Sequence, residues 1–428
     1  MERIILCMPH LSGKEIDFVK EAFADNWVVP LGPNVDGFEK DLEKFVNSEK
    51  SLNPEIHTES ELCPPKSVVA LSAGTAAVHL ALVACGVGPG DEVIVQSFTF
   101  CASAHPVSYL GAIPVFVDSE EETWNMDPLL LEKAIEDRIL QTGKKPKAII
   151  PVALYGMPYK IEEIMEVARK YNIPVIEDAA EGFGSRYKGR VLGTFGKYGV
   201  LSFNGNKMIT TSGGGALICG SLKEKKEILF YATQAREGYP YYQHEKIGYN
   251  YRMSNICAGI GRGQMTILNE HIAHHKMVQQ LYCELLRDVE GITMHISPGI
   301  DYDSNFWLCT ALLNPDLKIK GQDRVYLSPV KEAVGGAAGL INPAGTTHTD
   351  CEPDPNVEAL RVALDKANIE SRPLWKPMHV QPVYKNNPAY VNGVSVDLFR
   401  KGICLPAGPF VGKDEVKYIV ETIKSSIC

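Results

Sequence analysis

The chain has 428 residues, a formal charge of −9, 45% hydrophobic and 22% charged residues. That balance excludes a disordered or fibrous chain, and the acidic excess argues against a general nucleic-acid binder, which usually carries a basic stripe. The 11 cysteines are scattered, odd in number and free of any C-x-x-C spacing, so reduced thiols in a cytoplasmic protein are expected rather than a disulfide framework.

The apolar run after Met1 is too short for a signal-peptide core, and no stretch of about 18 apolar residues suggests a membrane span. Residues 13–47 read as helical with a break at Pro30-Leu31-Gly32-Pro33. Residues 48–66 read as a surface loop. From residue 67 short apolar strands (Val68–Leu71, Glu92–Gln96, Val115–Val117, Ala148–Val152, Val175–Glu177) alternate with helical patterns such as Ala76–Cys85 and Ile161–Tyr171. This alternation implies βαβ units and a mainly parallel sheet covered on both faces. A strand over Ala216–Cys219 precedes helical stretches to about residue 290, and residues 291–428 read as smaller α+β structure ending in a helix from Lys413 to Ser425. A large domain over 1–265 and a smaller C-terminal α+β domain over 266–428 are therefore expected.

Three segments carry chemistry. Ser72-Ala73-Gly74-Thr75 joins a strand to a helix. Helix N-termini offer unpaired N–H groups, and glycine lets an anion approach the backbone, so the segment suits a phosphate cradle as well as a plain N-cap. Gly86-Val87-Gly88-Pro89-Gly90 imitates a dinucleotide fingerprint, but a helix precedes it and a strand follows, so it reads as a turn. Val175–Glu181 is an apolar strand ending in acids, where ligands of open α/β sheets bind. Ser202 to Met208 then places Lys207 among short polar residues. A lysine held away from water becomes a usable amine nucleophile, although an isolated lysine is more often a solvated surface cation. A phosphate cradle, an acid and an amine in this order fit one cofactor, pyridoxal phosphate (PLP).

The order and wording of Phe98-Thr99-Phe100, Leu154-Tyr155-Gly156, Glu177-Asp178-Ala179-Ala180, Ser202 to Lys207, Gly248 to Met253 and Pro377-Met378-His379 resemble the DegT/DnrJ/StrS family of sugar aminotransferases. That resemblance implies the fold type I, aspartate aminotransferase-like α/β architecture. Ser202 to Gly215, Thr233 to Glu237, Arg372 to Lys376 and Lys401 to Pro406 are most similar to the 4-aminotransferases of UDP-N-acetylbacillosamine biosynthesis. By resemblance, Lys207 joins the cofactor aldehyde and then shuttles a proton, and Asp178 faces the pyridine nitrogen. Gly74, Thr75 and Ser202 hold the phosphate, and Phe100 stacks on the ring. Asn250 reaches the phosphate of a partner subunit, which implies a homodimer with shared sites. Glu181 departs from the Gln or His of many relatives beside the cofactor's phenolic oxygen, so it is expected to be protonated, to bond through water or to point away. Asn26, Trp27, Val28 and Val29, with Arg372, Trp375 and His379, are expected on the nucleotide-sugar side.

Residues 48–66 and about 317–355 look like insertions against close relatives. His271, His274 and His275 lie on a charged helical stretch and read as a solvated face, not a metal site. The implied reaction moves the amino group of L-glutamate, leaving 2-oxoglutarate, to the C4 ketone of a UDP-4-keto-6-deoxy-N-acetylhexosamine. The competing readings are a 3-keto sugar aminotransferase, a deoxysugar dehydratase, or a non-catalytic PLP-binding sensor. The dehydratases replace the lysine with histidine, and the sensors add a DNA-binding domain that is not visible here.

Overall fold

The computed structural model describes residues 2–48, 65–324 and 351–428. The two expected insertions fall largely on 49–64 and 325–350, outside the described residues. In chain order the elements begin α1 (Glu15–Ala24), α2 (Pro33–Val46), β1 (Ser67–Leu71), α3 (Gly74–Ala84), β2 (Glu92–Gln96), α4 (His105–Tyr109), β3 (Ile113–Val117), α5 (Pro128–Thr142), β4 (Ala148–Ile150), α6 (Ile161–Tyr171) and β5 (Ile176–Asp178). They continue β6 (Arg186–Tyr187), β7 (Arg190–Val191), β8 (Tyr198–Ser202), β9 (Gly215–Cys219), α7 (Leu222–Ala232), α8 (Asn255–Met265), α9 (Leu268–Leu286), β10 (Ile292–Met294), β11 (Tyr302–Asp303) and β12 (Cys309–Leu313). The chain closes with α10 (Pro355–Lys366), β13 (Arg372–Pro373), β14 (Ala389–Tyr390), α11 (Val394–Lys401), β15 (Gly402–Leu405) and α12 (Lys413–Ser426).

The strands β14-β3-β2-β4 form one four-stranded sheet and β1-β9-β8-β5 another. Bridges Ile149–Val175 and Val152–Asp178 join β4 to β5, so the two run together as one twisted surface. Among its described strands only β9 runs against its neighbours. The strands are short and almost wholly apolar because both faces are covered, as in Val93, Ile94, Val95, Ile149 and Ile150, all fully buried. Helix α3 is buried over Ala76–Leu82 and lies on the sheet, which is why its sequence lacks a polar face. Asp127 caps α5 by accepting from the backbone N–H of Leu129 and Leu130, and Gly143 ends it in a left-handed conformation.

A second, antiparallel sheet, β10-β12-β15-β13, packs on α9, α10 and α12 around Tyr282, Leu360, Ile419 and Ile423. Between β13 and β15 of this sheet the chain crosses back to the first one, where β14 pairs with β3 in parallel.

Two expectations change. The helical stretch expected after β9 is interrupted, because 233–254 forms turns and bridges between α7 and α8. Gly238, Pro240 and Gly248 explain the break. The histidines of α9 are not a solvated face: His271 and His275 are buried and bond to the carbonyls of Met208 and Phe306. The helix joins the larger core through Leu268 and Ile272 and the smaller one through Val278 and Tyr282, so its polar residues find backbone partners instead of water. Among the described residues no group of three or more His, Cys, Asp or Glu is placed to hold a metal.

Candidate active site

Because β1, β2, β5 and β8 are parallel, their carboxyl ends share one edge, and a cavity of about 890 Å³ opens there. Each strand delivers one group to it. β1 leads through Ser72 and Ala73 into α3, so Gly74 and Thr75 line the cavity. Ala73 is the cap of α3 and, among the described residues, no side chain bonds the first-turn N–H groups, so the plain N-cap role is not filled by Ser72 or Thr75. These donors and the positive end of the helix are left for an anion. Ser202 at the end of β8 closes against them: a Cβ on Gly74 would sit 3.0 Å from the Ser202 Cβ. A Cβ on Gly215 would meet the Gly74 nitrogen at 2.4 Å, so β9 and the first turn of α3 touch backbone to backbone.

β5 delivers Asp178. Its Oδ2 accepts from Ser103 Oγ at 2.6 Å and its Oδ1 from the Ala180 N–H at 3.1 Å. Burial raises its pKa above the usual aspartate value, and the Ser103 and Ala180 donors oppose that shift. One turn further, Glu181 points into the site. Its Oε2 accepts from the Tyr155 N–H at 2.7 Å and its Oε1 lies 3.3 Å from Lys207 Nζ. Of the expected alternatives, pointing away is therefore excluded. Burial raises the Glu181 pKa, with Lys207 the largest opposing influence.

Lys207 sits in a turn whose N–H bonds the Asn204 carbonyl at 2.9 Å. Its side chain is 12% exposed, and Nζ lies 4.0 Å from the centroid of the Trp307 ring. The surface-cation reading does not apply to it. The opposite wall holds Phe100, half-exposed with its ring 5.4 Å from that of Trp375, and Arg372, ion-paired to Glu370 at 2.7 Å.

The structure does not bring the remaining predicted residues into this cavity. His379 turns to Ser97, its Nδ1 2.6 Å from the hydroxyl. Asn26, Trp27, Val28 and Val29 are exposed in a turn after α1, held by Asn255, which donates to the Trp27 carbonyl and to the Val29 carbonyl. Asn250 is exposed between Tyr249 and Tyr251, whose rings stack at 5.1 Å. Both predicted groups are therefore exposed and lie outside the cavity. Sequence reasoning missed Ser103, Tyr155, Glu370 and Trp307. Ser103 follows the Phe98–Phe100 motif closely, whereas nothing local marks Trp307, which meets Lys207 across a hundred positions.

The chain's own groups fit pyridoxal phosphate: an open helix N-terminus for its phosphate, a buried carboxylate for its ring nitrogen, and a buried amine for its aldehyde. The fold is that of the fold type I PLP enzymes. The profile of the DegT/DnrJ/EryC1/StrS aminotransferase family matches residues 57–344 and 342–424. EpsN of Bacillus subtilis strain 168, provisionally named a PLP-dependent aminotransferase, is 39% identical, with 99% of this chain and 95% of that protein covered. The GDP-perosamine synthase of Escherichia coli O157:H7 is 33% identical, covering 99% and 98%. A solved aminotransferase of this family from Brucella abortus superposes with a TM-score of 0.79 at 25% identity, covering 96% and 95%. The chain belongs to the DegT/DnrJ/EryC1/StrS aminotransferase family. It is a sugar aminotransferase that uses PLP.

Proposed function

We propose that this enzyme moves the amino group of L-glutamate to the C4 ketone of a UDP-4-keto-6-deoxy-N-acetylhexosamine, giving UDP-4-amino-4,6-dideoxy-N-acetylglucosamine. The observation that carries the aminotransferase chemistry is the convergence of Lys207, Asp178 and the uncapped start of α3 on one cavity. The choice of acceptor rests on the resemblance of the segments around Lys207 and Arg372 to the bacillosamine-pathway enzymes. Bound PLP supplies an aldehyde that accepts amino groups and a pyridine ring that takes up electrons. Asp178, as a carboxylate, orients the ring and favours a proton on its nitrogen. Gly74, Thr75 and Ser202 anchor the phosphate, and Phe100 covers one face of the ring. Lys207 Nζ, beside the reacting carbon, takes and returns the proton that must move between carbon atoms.

On the substrate side, Arg372 suits a diphosphate and Trp375 a sugar or base face. Asn250, and with it the Asn26–Val29 turn, serves the cavity of a second copy, so the working unit is a homodimer. We place the enzyme in the cytoplasm; among the described residues no helix is long and apolar enough to cross a membrane.

A GDP-linked 4-keto sugar is the second reading, favoured by the identity to the GDP-perosamine synthase. The test is incubation with glutamate and a panel of UDP- and GDP-linked keto sugars, read by product mass. Amino transfer to the UDP-4-keto-N-acetyl sugar is expected, and Lys207→Ala should abolish it together with the yellow colour of the protein. Transfer to the GDP sugars alone selects the second reading, and unchanged turnover in the variant rejects the mechanism.

A further inference from the structure

The two walls of the cavity belong to different sheets, and one side chain spans them. Asp178, Glu181 and Lys207 stand at the edge of the larger sheet, whereas Arg372 and Trp375 come from β13 of the smaller one and the turn after it. Tyr155 lies in the turn after β4 and is buried. Its backbone is left-handed, with φ 54° and ψ 16°, which a bulky residue rarely adopts and which persists only where the surroundings hold it. In that conformation its N–H reaches Glu181 Oε2 and its hydroxyl accepts the Trp375 backbone N–H, both at 2.7 Å. The hydroxyl also pairs with the thiol of Cys404 on β15, the strand beside β13. The Tyr155 ring lies 6.3 Å from the Trp375 ring, with the planes 11° from parallel.

The Trp375 side chain has no polar anchor of its own. Its indole Nε1 is buried without a hydrogen-bond partner among the described residues, and its other ring neighbour there is Phe100, itself half-exposed. We propose that Tyr155 is a positioning residue for acceptor recognition, holding Trp375 at the separation from Lys207 that a bound sugar nucleotide requires. This rests on the reading of Trp375 as a contact for a sugar or base face. The two bonds of Tyr155 can be separated by substitution, because the one to Glu181 is made by the main chain and the one to Trp375 by the side chain. Loss of the hydroxyl leaves the part-buried Trp375 N–H without its acceptor, so the wall that carries the indole shifts while the wall that carries Lys207 stays.

The test resolves the two half-reactions in single turnovers of the holoenzyme. Reaction with glutamate is followed by loss of the visible band, and amino transfer to the acceptor by its return. The acceptor is whichever member of the UDP- and GDP-linked keto-sugar panel the wild type turns over fastest. Tyr155→Phe keeps the ring and the N–H to Glu181. Its half-saturating acceptor concentration is expected to rise roughly five- to tenfold, with the limiting rate of that step and the whole glutamate step within about twofold of the wild type. Trp375→Ala is expected to raise the same concentration roughly tenfold or more, and adding Tyr155→Phe in that background to change it by less than about twofold, because no indole is left to place. A merely structural tyrosine would slow both half-reactions together; that result, or an equal penalty with and without Trp375, overturns the assignment. An acceptor dependence unchanged in Trp375→Ala rejects the contact reading of Trp375 as well, whereas a weakened acceptor in Trp375→Ala with no change in Tyr155→Phe rejects the role of Tyr155 alone.

Discussion

Ser103 donates to the buried carboxyl of Asp178 at 2.6 Å and helps to keep it acidic. Burial drives the pKa of Asp178 upward and the Ser103 hydroxyl is the largest influence in the other direction. Ser103→Ala removes that donor. Hydrogen bonds to charged groups are worth about 1.5–3 kcal/mol, so the acidic limb of the kcat/KM profile should move to higher pH by roughly one to two units. The sign follows from the carboxylate being the working form: a higher pKa means that more of it is protonated at a given pH. A profile that falls in height without moving along the pH axis would contradict this. The amine, the acid and the glycine-threonine turn were all legible in the sequence, because each is fixed by its place at a strand end. The ring of Trp307 over Lys207 and the bond from Ser103 were not, since both depend on contacts between distant segments.

At the scale of elements, β10 is tied to the larger sheet through an aromatic pair. The His295 ring lies flat on Trp124, centroids 3.7 Å apart and planes 6° from parallel, and its Nε2 bonds the Glu122 carbonyl. Burial lowers the pKa of His295 from 6.5 to about 4. Between those values the unfolded chain carries a proton that the folded one refuses, so stability falls as pH drops from 6.5 to 4. The full loss at this site is about 3 kcal/mol. His295→Gln should flatten the fall of Tm across this window, although it lowers Tm at neutral pH. An equally steep fall in the variant would place the acid sensitivity elsewhere, with the neutral, buried His275 of α9 the next group to change. The strands of the sheet were readable as apolar runs and the helices between them by period. The burial of His271 and His275 was not readable, because a polar residue that bonds a backbone carbonyl leaves the same letters as one that faces water.

For the whole molecule, the outward position of Asn250 and of the Asn26–Val29 turn predicts complementation between subunits. Lys207→Ala and Asn250→Ala should each be nearly inactive. A mixed dimer of the two carries both defects in one site and leaves the other intact. Dissociated and reassembled in equal amounts, the pair should recover roughly a quarter of the wild-type rate, because half the dimers are mixed and half their sites work. No recovery in a preparation shown to contain mixed dimers would mean that Asn250 acts within its own subunit.

The pairing of Ala389–Tyr390 with β3 has a further bearing, on synthesis. The flank of β3 is built early and receives its neighbour only when residue 390 has left the ribosome. For the intervening 270 or so residues of translation that flank exposes unpaired N–H and C=O groups, a template for adhesion to other nascent chains. Slow elongation over the last third of the message would lengthen this vulnerable interval.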